Sequence, residues 1–257
     1  MGAYLGKIAN DARLKVLDLI FNAQTSHIGS NFSCIDIMAC IFERVDLDRD
    51  KFILSKGWAA ASLYYFLHRK GRITQKQLDS YCQEGSEFIG LAEPIHPDIP
   101  FAGGSMGLAL PAAVGFALAK KIKGEPGTIY VLMSEGEIQS GTTWEAAMIA
   151  SHFKLDNLMV ILDNNGHQAM GATKDIMDFN PVCNKFVDFG WETAQADGHN
   201  YILFARELRN NKGLPKFIDA KTVKGKGVPF MEDDNIWHYR APNENEYLSA
   251  KTILCQR

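Results

Sequence analysis

Two polar clusters in this sequence combine residue types that can hold a metal ion and a phosphate: Ser134-Glu135-Gly136-Glu137 and Asp163-Asn164-Asn165-Gly166-His167. A carboxylate in the first and a carboxamide in the second are oxygen ligands for a hard divalent cation, and the glycines let backbone amides approach an anion. Acidic residues and asparagines at strand ends also serve as plain turn formers. The spacing favours ligation, because Glu135 and Asn165 lie 30 positions apart, about the length of a strand-to-strand crossover. Magnesium bridged to a diphosphate is the chemistry that suits such a pair.

Three polar loops each carry a histidine, in Ser26-His27-Ile28-Gly29, His96-Pro97 and Trp237-His238. Imidazole, with an ordinary pKa of ~6.5, donates or accepts a proton near neutrality. His68, His152 and His199 lie outside such loops and read as solvated or capping side chains. The run Lys221-Thr222-Val223-Lys224-Gly225-Lys226-Gly227 is either a mobile basic turn or a segment that closes over a phosphate.

These residues need a framework. Residues 128–133 and 158–162 are continuous β-rich apolar runs, and 141–153 between them has a helical pattern. That is a parallel βαβ crossover, with one polar cluster after each strand. Residues 52–54, 191–196 and 217–222 add three strand candidates. Apolar positions over 8–21 recur with helical spacing and deliver the His27 loop. Ser33 is the expected N-cap of the next helix, to residue 42, with Asp36 as its capping-box carboxylate. Further helices are expected to about residue 68 after Ser55-Lys56-Gly57, and over 108–119, 201–210 and 243–253. The stretch 92–107, rich in proline and glycine, reads as a long loop over a site. Alternating strands and helices predict one α/β domain, residues 1–257, with a doubly covered sheet and ligands at the loops after its strands.

Composition narrows the function classes. Hydrophobic residues at 46% and charged residues at 22% describe an ordinary folded chain of 257 residues. A net charge of −3 gives no electrostatic footprint for nucleic acid or an anionic membrane. The five cysteines are scattered without a C-x-x-C pair, which fits reduced thiols. With no signal sequence and no apolar run long enough to span a bilayer, a cytoplasmic protein is expected.

The two clusters resemble the Gly-Asp-Gly and Asn-Asn motifs of thiamin diphosphate enzymes, in the version found in the N-terminal part of transketolases. The resemblance covers nearly the whole chain. Ser26-His27-Ile28-Gly29 is similar to the family's Gly-His-Pro-Gly loop, and the 52–57 segment to its strand and phosphate-side loop. His96-Pro97, Gly104-Ser105-Met106-Gly107, Trp144-Glu145-Ala146-Ala147, the 221–227 run and Trp237-His238 follow in order.

The resemblance implies a three-layer αβα fold with a mostly parallel six-stranded sheet that binds the diphosphate and metal end of thiamin diphosphate. It implies Glu135, Asn165 and the His167 carbonyl as ligands of Mg²⁺ or Ca²⁺, Gly136 on the diphosphate, and Gly104 and Met106 beside the cofactor rings. His27 and His238 would touch cofactor and move protons. His96 would orient substrate hydroxyls.

Four departures stand out. Ser134-Glu135-Gly136 makes the metal carboxylate one methylene longer, and Trp58 replaces a phosphate-binding histidine at the cofactor. Ser140 stands where an acid is usual, and Ala169-Met170-Gly171 lacks the usual acid before its glycine. They allow a substrate other than ordinary pentose phosphates, or reduced activity. The family's complete enzymes are well over twice as long, and a second domain supplies the glutamate that activates the cofactor. The expected protein is therefore the diphosphate-binding subunit of a split transketolase-like enzyme, paired with a separately encoded pyrimidine-binding subunit, most simply α2β2. It would act on sugars or sugar phosphates. The alternatives are a subunit resembling 1-deoxyxylulose-phosphate synthase or a 2-oxo acid dehydrogenase, and a degenerate structural subunit.

Overall fold

The computed structural model describes residues 2–209 and 213–256. Helices α1 (Gly2–Ala23) and α2 (Ile28–Phe42) precede β1 (Lys51–Leu54), α3 (Ala60–Arg69) and the short α4 (Gln75–Asp79). Then come α5 (Ala109–Lys123), β2 (Ile129–Ser134), α6 (Gly141–His152), β3 (Leu158–Asn164) and the two-residue strands β4 (His167–Gln168) and β5 (Gly171–Ala172). The chain ends in α7 (Thr173–Met177), α8 (Val182–Asp188), β6 (Glu192–Asp197), α9 (Tyr201–Glu207), β7 (Lys216–Lys221) and α10 (Glu244–Cys255). The end of the expected helix at residue 210 lies outside the described residues.

The main sheet runs β1-β2-β3-β7-β6, and every pairing in it is parallel. The resemblance implies six parallel strands; the described residues form five, the same five that the apolar runs pick out. The segment after β3 does not join them. Gly166, at φ 81°, follows β3, and beyond it β4 and β5 pair with each other as a small antiparallel hairpin that turns at Ala169 and Met170.

Successive strand side chains point to opposite faces, and both faces are buried. Leu132, Ile161 and Ile218 meet the layer of α1, α2, α3 and α9, while Val131, Val160 and Phe217 meet α5, α6 and α8. This is the αβα sandwich expected from the alternation. Among the described residues, no helix is long and apolar enough to cross a membrane.

Helix α2 begins at Ile28 rather than after Ser33. Ser33 is buried inside it and donates from Oγ to Asp163 at 2.6 Å. Asp36 is likewise no cap. It accepts two bonds from Arg13, at 3.0 and 2.6 Å, and one from the Tyr201 hydroxyl at 2.7 Å. His199 completes the group, with Nδ1 2.6 Å from Asp36 and Nε2 accepting from Val223 N–H, so it is a structural histidine rather than a solvated one. A buried polar partner outcompetes a local cap, because an unpaired charge in the core costs more than a cap returns.

Burial opposes ionisation of Asp36, but Arg13 and His199 outweigh it and hold the carboxyl well below the usual range. Its contribution is present at neutral pH and lost as pH falls below about 4. Asp36→Ala leaves Arg13 buried and unpaired, and urea unfolding should show a loss of about 3 kcal/mol or more. A loss below about 1 kcal/mol would mean that water or another group takes the carboxylate's place.

Candidate functional site

The register levels the strand ends: Leu54 pairs with Leu132, Ser134 with Asp163, and Asp163 with Ala220. The loops after β1, β2, β3 and β7 therefore open on one side of the sheet, and Asp163 links three of the segments there. It is fully buried, pairs with Lys56 from the loop after β1, and accepts from the Ser33 and Thr222 hydroxyls. Burial disfavours its charge, yet Lys56 and these donors hold its pKa below the ordinary value.

The turn after β2 is locked from below by Glu137. Its carboxylate accepts from Ser134 N–H at 2.8 Å and from the Ser55 hydroxyl, tying the β1 and β2 turns together. Glu135, 2% exposed, points the other way and accepts from Gly166 N–H at 2.5 Å and from the Thr173 hydroxyl. Burial raises its pKa, and these hydrogen bonds oppose that shift. Asn165 Oδ1 accepts from His167 N–H at 3.1 Å. From the long loop, Gly103 approaches Gly57 so closely that a Cβ on Gly103 would lie 2.5 Å from the Gly57 Cα. That contact brings Gly104 and Met106 over the turn.

These loops enclose a cavity of 330 Å³ lined by His27, Trp58, Gly104, Met106, Glu135, Gly136, Asn165, His167 and His238. Nine of the ten residues singled out from sequence are thus brought together. His96 is not among them. Its Nδ1 accepts from Asp98 N–H at 3.2 Å, and Asp98 also lies near Arg72, so the imidazole serves its own loop. A second cavity of 640 Å³ adjoins the first across His27 and Trp58.

His27 lies flat on Trp58 with 4.7 Å between ring centroids and meets His238 edge-on at 4.6 Å. Ser26 Oγ is 2.6 Å from His27 Nδ1. Sequence reasoning named the segments of Lys56 and Lys224 as phosphate-side candidates but gave neither lysine a role of its own. Lys224 is 1% exposed and donates to Asn235 Oδ1 at 2.5 Å and to His238 Nδ1 at 3.2 Å. At Lys224 the basic run is therefore a built wall and not a mobile turn. Its glycines were the available signal, since Gly225, at φ 76°, packs its Cα against the Met231 carbonyl with no room for a Cβ.

Burial and the nearby Lys56 push Lys224 down to about 8. Burial and Lys224 push His27 down to about 4 and His238 to about 3, so both imidazoles are neutral at pH 7. The donor set fits an anion beside a hard cation. Glu135, Asn165 and the His167 carbonyl offer oxygen atoms to a cation, two ammonium groups stand near, and the buried nitrogens His167 Nδ1 and Gln168 Nε2 in the lining have no partner among the described residues.

Residues 6–256 match the model of the transketolase, thiamine diphosphate binding domain family. The chain belongs to this transketolase family. Its relatives include proteins named as subunits of apulose-4-phosphate transketolase. The one from Phocaeicola vulgatus is 30% identical over 95% of this chain and 92% of its own length, and the one from Actinobacillus succinogenes 35% over 94% and 92%. The transketolase structure from Campylobacter jejuni superposes with a TM-score of 0.92 at 28% identity, covering 98% of this chain but 42% of that one. The transketolase fold therefore accommodates Glu135 and Trp58 without a change of architecture.

Because the two imidazoles titrate below their ordinary value, their contribution to stability is present at neutral pH and lost as pH falls from 6.5 toward 3. NMR should show neither ring titrating between about pH 6 and 8. Lys224→Met should move both pKa values part of the way back up, since burial remains; unchanged values would show that the ammonium does not set them.

Proposed function

We propose that this chain is the diphosphate-binding subunit of a split transketolase-like enzyme that moves a two-carbon ketol unit from a ketose, or ketose phosphate, to an aldose. The observation that carries this reading is the pattern of coverage. The chain spans nearly the whole of relatives that are each named as one subunit of a transketolase, but only 42% of a single-chain transketolase. Such names imply a second polypeptide; we propose that it supplies the pyrimidine-binding half, in a cytoplasmic α2β2 assembly.

Glu135, Asn165 and the His167 carbonyl would hold Mg²⁺ or Ca²⁺, with Gly136 N–H on the diphosphate and Lys224 balancing its charge. Gly104 and Met106 would pack against the cofactor rings, and Trp58 would form the wall between the two cavities. When bound, thiamin diphosphate supplies the carbon nucleophile, and the protein supplies position and proton transfer. With Nδ1 of His27 beside Ser26, its Nε2 is the atom left to exchange a proton with substrate. His238, neutral and fed by the Lys224 ammonium through Nδ1, would do the same from its other nitrogen. His96 would reach hydroxyls only from outside the lining, as a loop residue.

Calorimetry with thiamin diphosphate and Mg²⁺, on this chain alone and with its partner subunit, tests the reading. Binding is expected in at least one preparation, and its absence from both would favour a degenerate structural subunit. Asn165→Ala should weaken binding at least tenfold, or ~1.4 kcal/mol; an unchanged Kd would show the metal site misassigned. Release of CO2 from pyruvate by the assembled enzyme would replace ketol transfer with a synthase- or dehydrogenase-type reaction.

A further inference from the structure

We infer that Thr173 is a positioning residue that holds the longer Glu135 carboxylate in place for the divalent cation, an inference that rests on the cofactor site proposed above. A glutamate at the end of β2 has one more rotatable bond than an aspartate, whereas Mg²⁺ accepts ligands only near ~2.0–2.1 Å in nearly octahedral geometry. An unrestrained arm would lose rotamer freedom on binding the ion. Here the arm is already fixed. Glu135 Oε1 accepts from Gly166 N–H at 2.5 Å, and Oε2 accepts from the Thr173 hydroxyl.

The two donors are themselves joined, because Thr173 N–H donates to the Gly166 carbonyl at 2.9 Å. Glu135, Gly166 and Thr173 thus form a closed ring between the turn after β2 and the base of the hairpin that carries His167. Thr173 is 4% exposed, so its hydroxyl has little access to water as a competing partner. Each carboxylate oxygen has two lone pairs, and one hydrogen bond apiece leaves capacity for a cation. The ring acts as an outer layer of ligation, of the kind whose removal costs about 10–100-fold in metal affinity.

A hydroxyl that only starts α7 would show none of this dependence, and that contrast defines the experiment. Binding of thiamin diphosphate is measured by calorimetry at subsaturating and saturating Mg²⁺, in whichever preparation the unsubstituted protein binds, after thermal melting has confirmed folding. Thr173→Val should weaken binding by about tenfold or more at low Mg²⁺ and recover as Mg²⁺ is raised, while Thr173→Ser should stay within about threefold. In a Glu135→Asp background, whose carboxylate is one methylene shorter and is expected to fall short of Thr173, adding Thr173→Val should cost less than about threefold.

The inference is overturned if Thr173→Val binds like the unsubstituted protein, if Ser and Val lose equally, if Mg²⁺ gives no recovery, or if the loss persists in the Asp background. Should Thr173→Val fail to fold, Thr173→Ala is measured against the same outcomes. No binding by the unsubstituted protein overturns the proposed function and this inference together; normal binding with no effect at Thr173 overturns this inference alone.

Discussion

Asp163 is a charged group with no exposure to solvent, placed where the central strand of a parallel sheet ends. A buried carboxylate is tolerated only when its charge is matched and its lone pairs are filled. Lys56 matches the charge, and Ser33, Thr222 and Asn165 fill the lone pairs. Satisfying this one group draws α2, the loop after β1 and the loop after β7 to the tip of β3. The cavity is the space those segments leave. The same demand explains why Ser33 abandons its role as a cap: its hydroxyl serves the interior at 2.6 Å.

Electrostatics inside the cavity follow from the company that Asp163 keeps. Two lysines and two carboxylates, Lys56, Lys224, Asp163 and Glu135, share a small volume from which water is largely removed. Charges interact more strongly there than at the surface. The lysine held by Asp163 stays firmly protonated, whereas Lys224, which has only neutral hydrogen-bond partners, is pushed down to about 8. The histidines between them are neutral because burial disfavours a charged ring and Lys224 would repel a further positive charge. The formal charge of −3 over the whole chain says nothing of this. An anion entering the cavity meets a local field set by four residues.

Much of the architecture was legible before any coordinates. The runs at 128–133 and 158–162 became β2 and β3, with a helix between them, because apolar residues buried on both faces leave few other solutions. Glu135 and Asn165 could be paired from spacing, since one crossover separates them. His27 and His238 were harder, being far apart in sequence, and were reached through motif resemblance. His96 shows the limit of that route: its motif matches, yet its ring bonds within its own loop. The strand count shows it too, because the resemblance implies six strands and the described residues form five.

The sequence by itself determined the alternation of strands and helices, the loops that carry the chemistry, and the residue types available in them. These depend on short-range periodicity and on the conformations that glycine and proline permit or forbid. Only the tertiary structure decided which groups meet. The Thr173 hydroxyl on Glu135, Lys224 on His238, and His199 on Asp36 join residues that no local pattern relates. Each contact depends on the register of neighbouring strands and the angle of the loops that leave them. A shift of one residue in a parallel pair would move a side chain to the opposite face and dissolve the site.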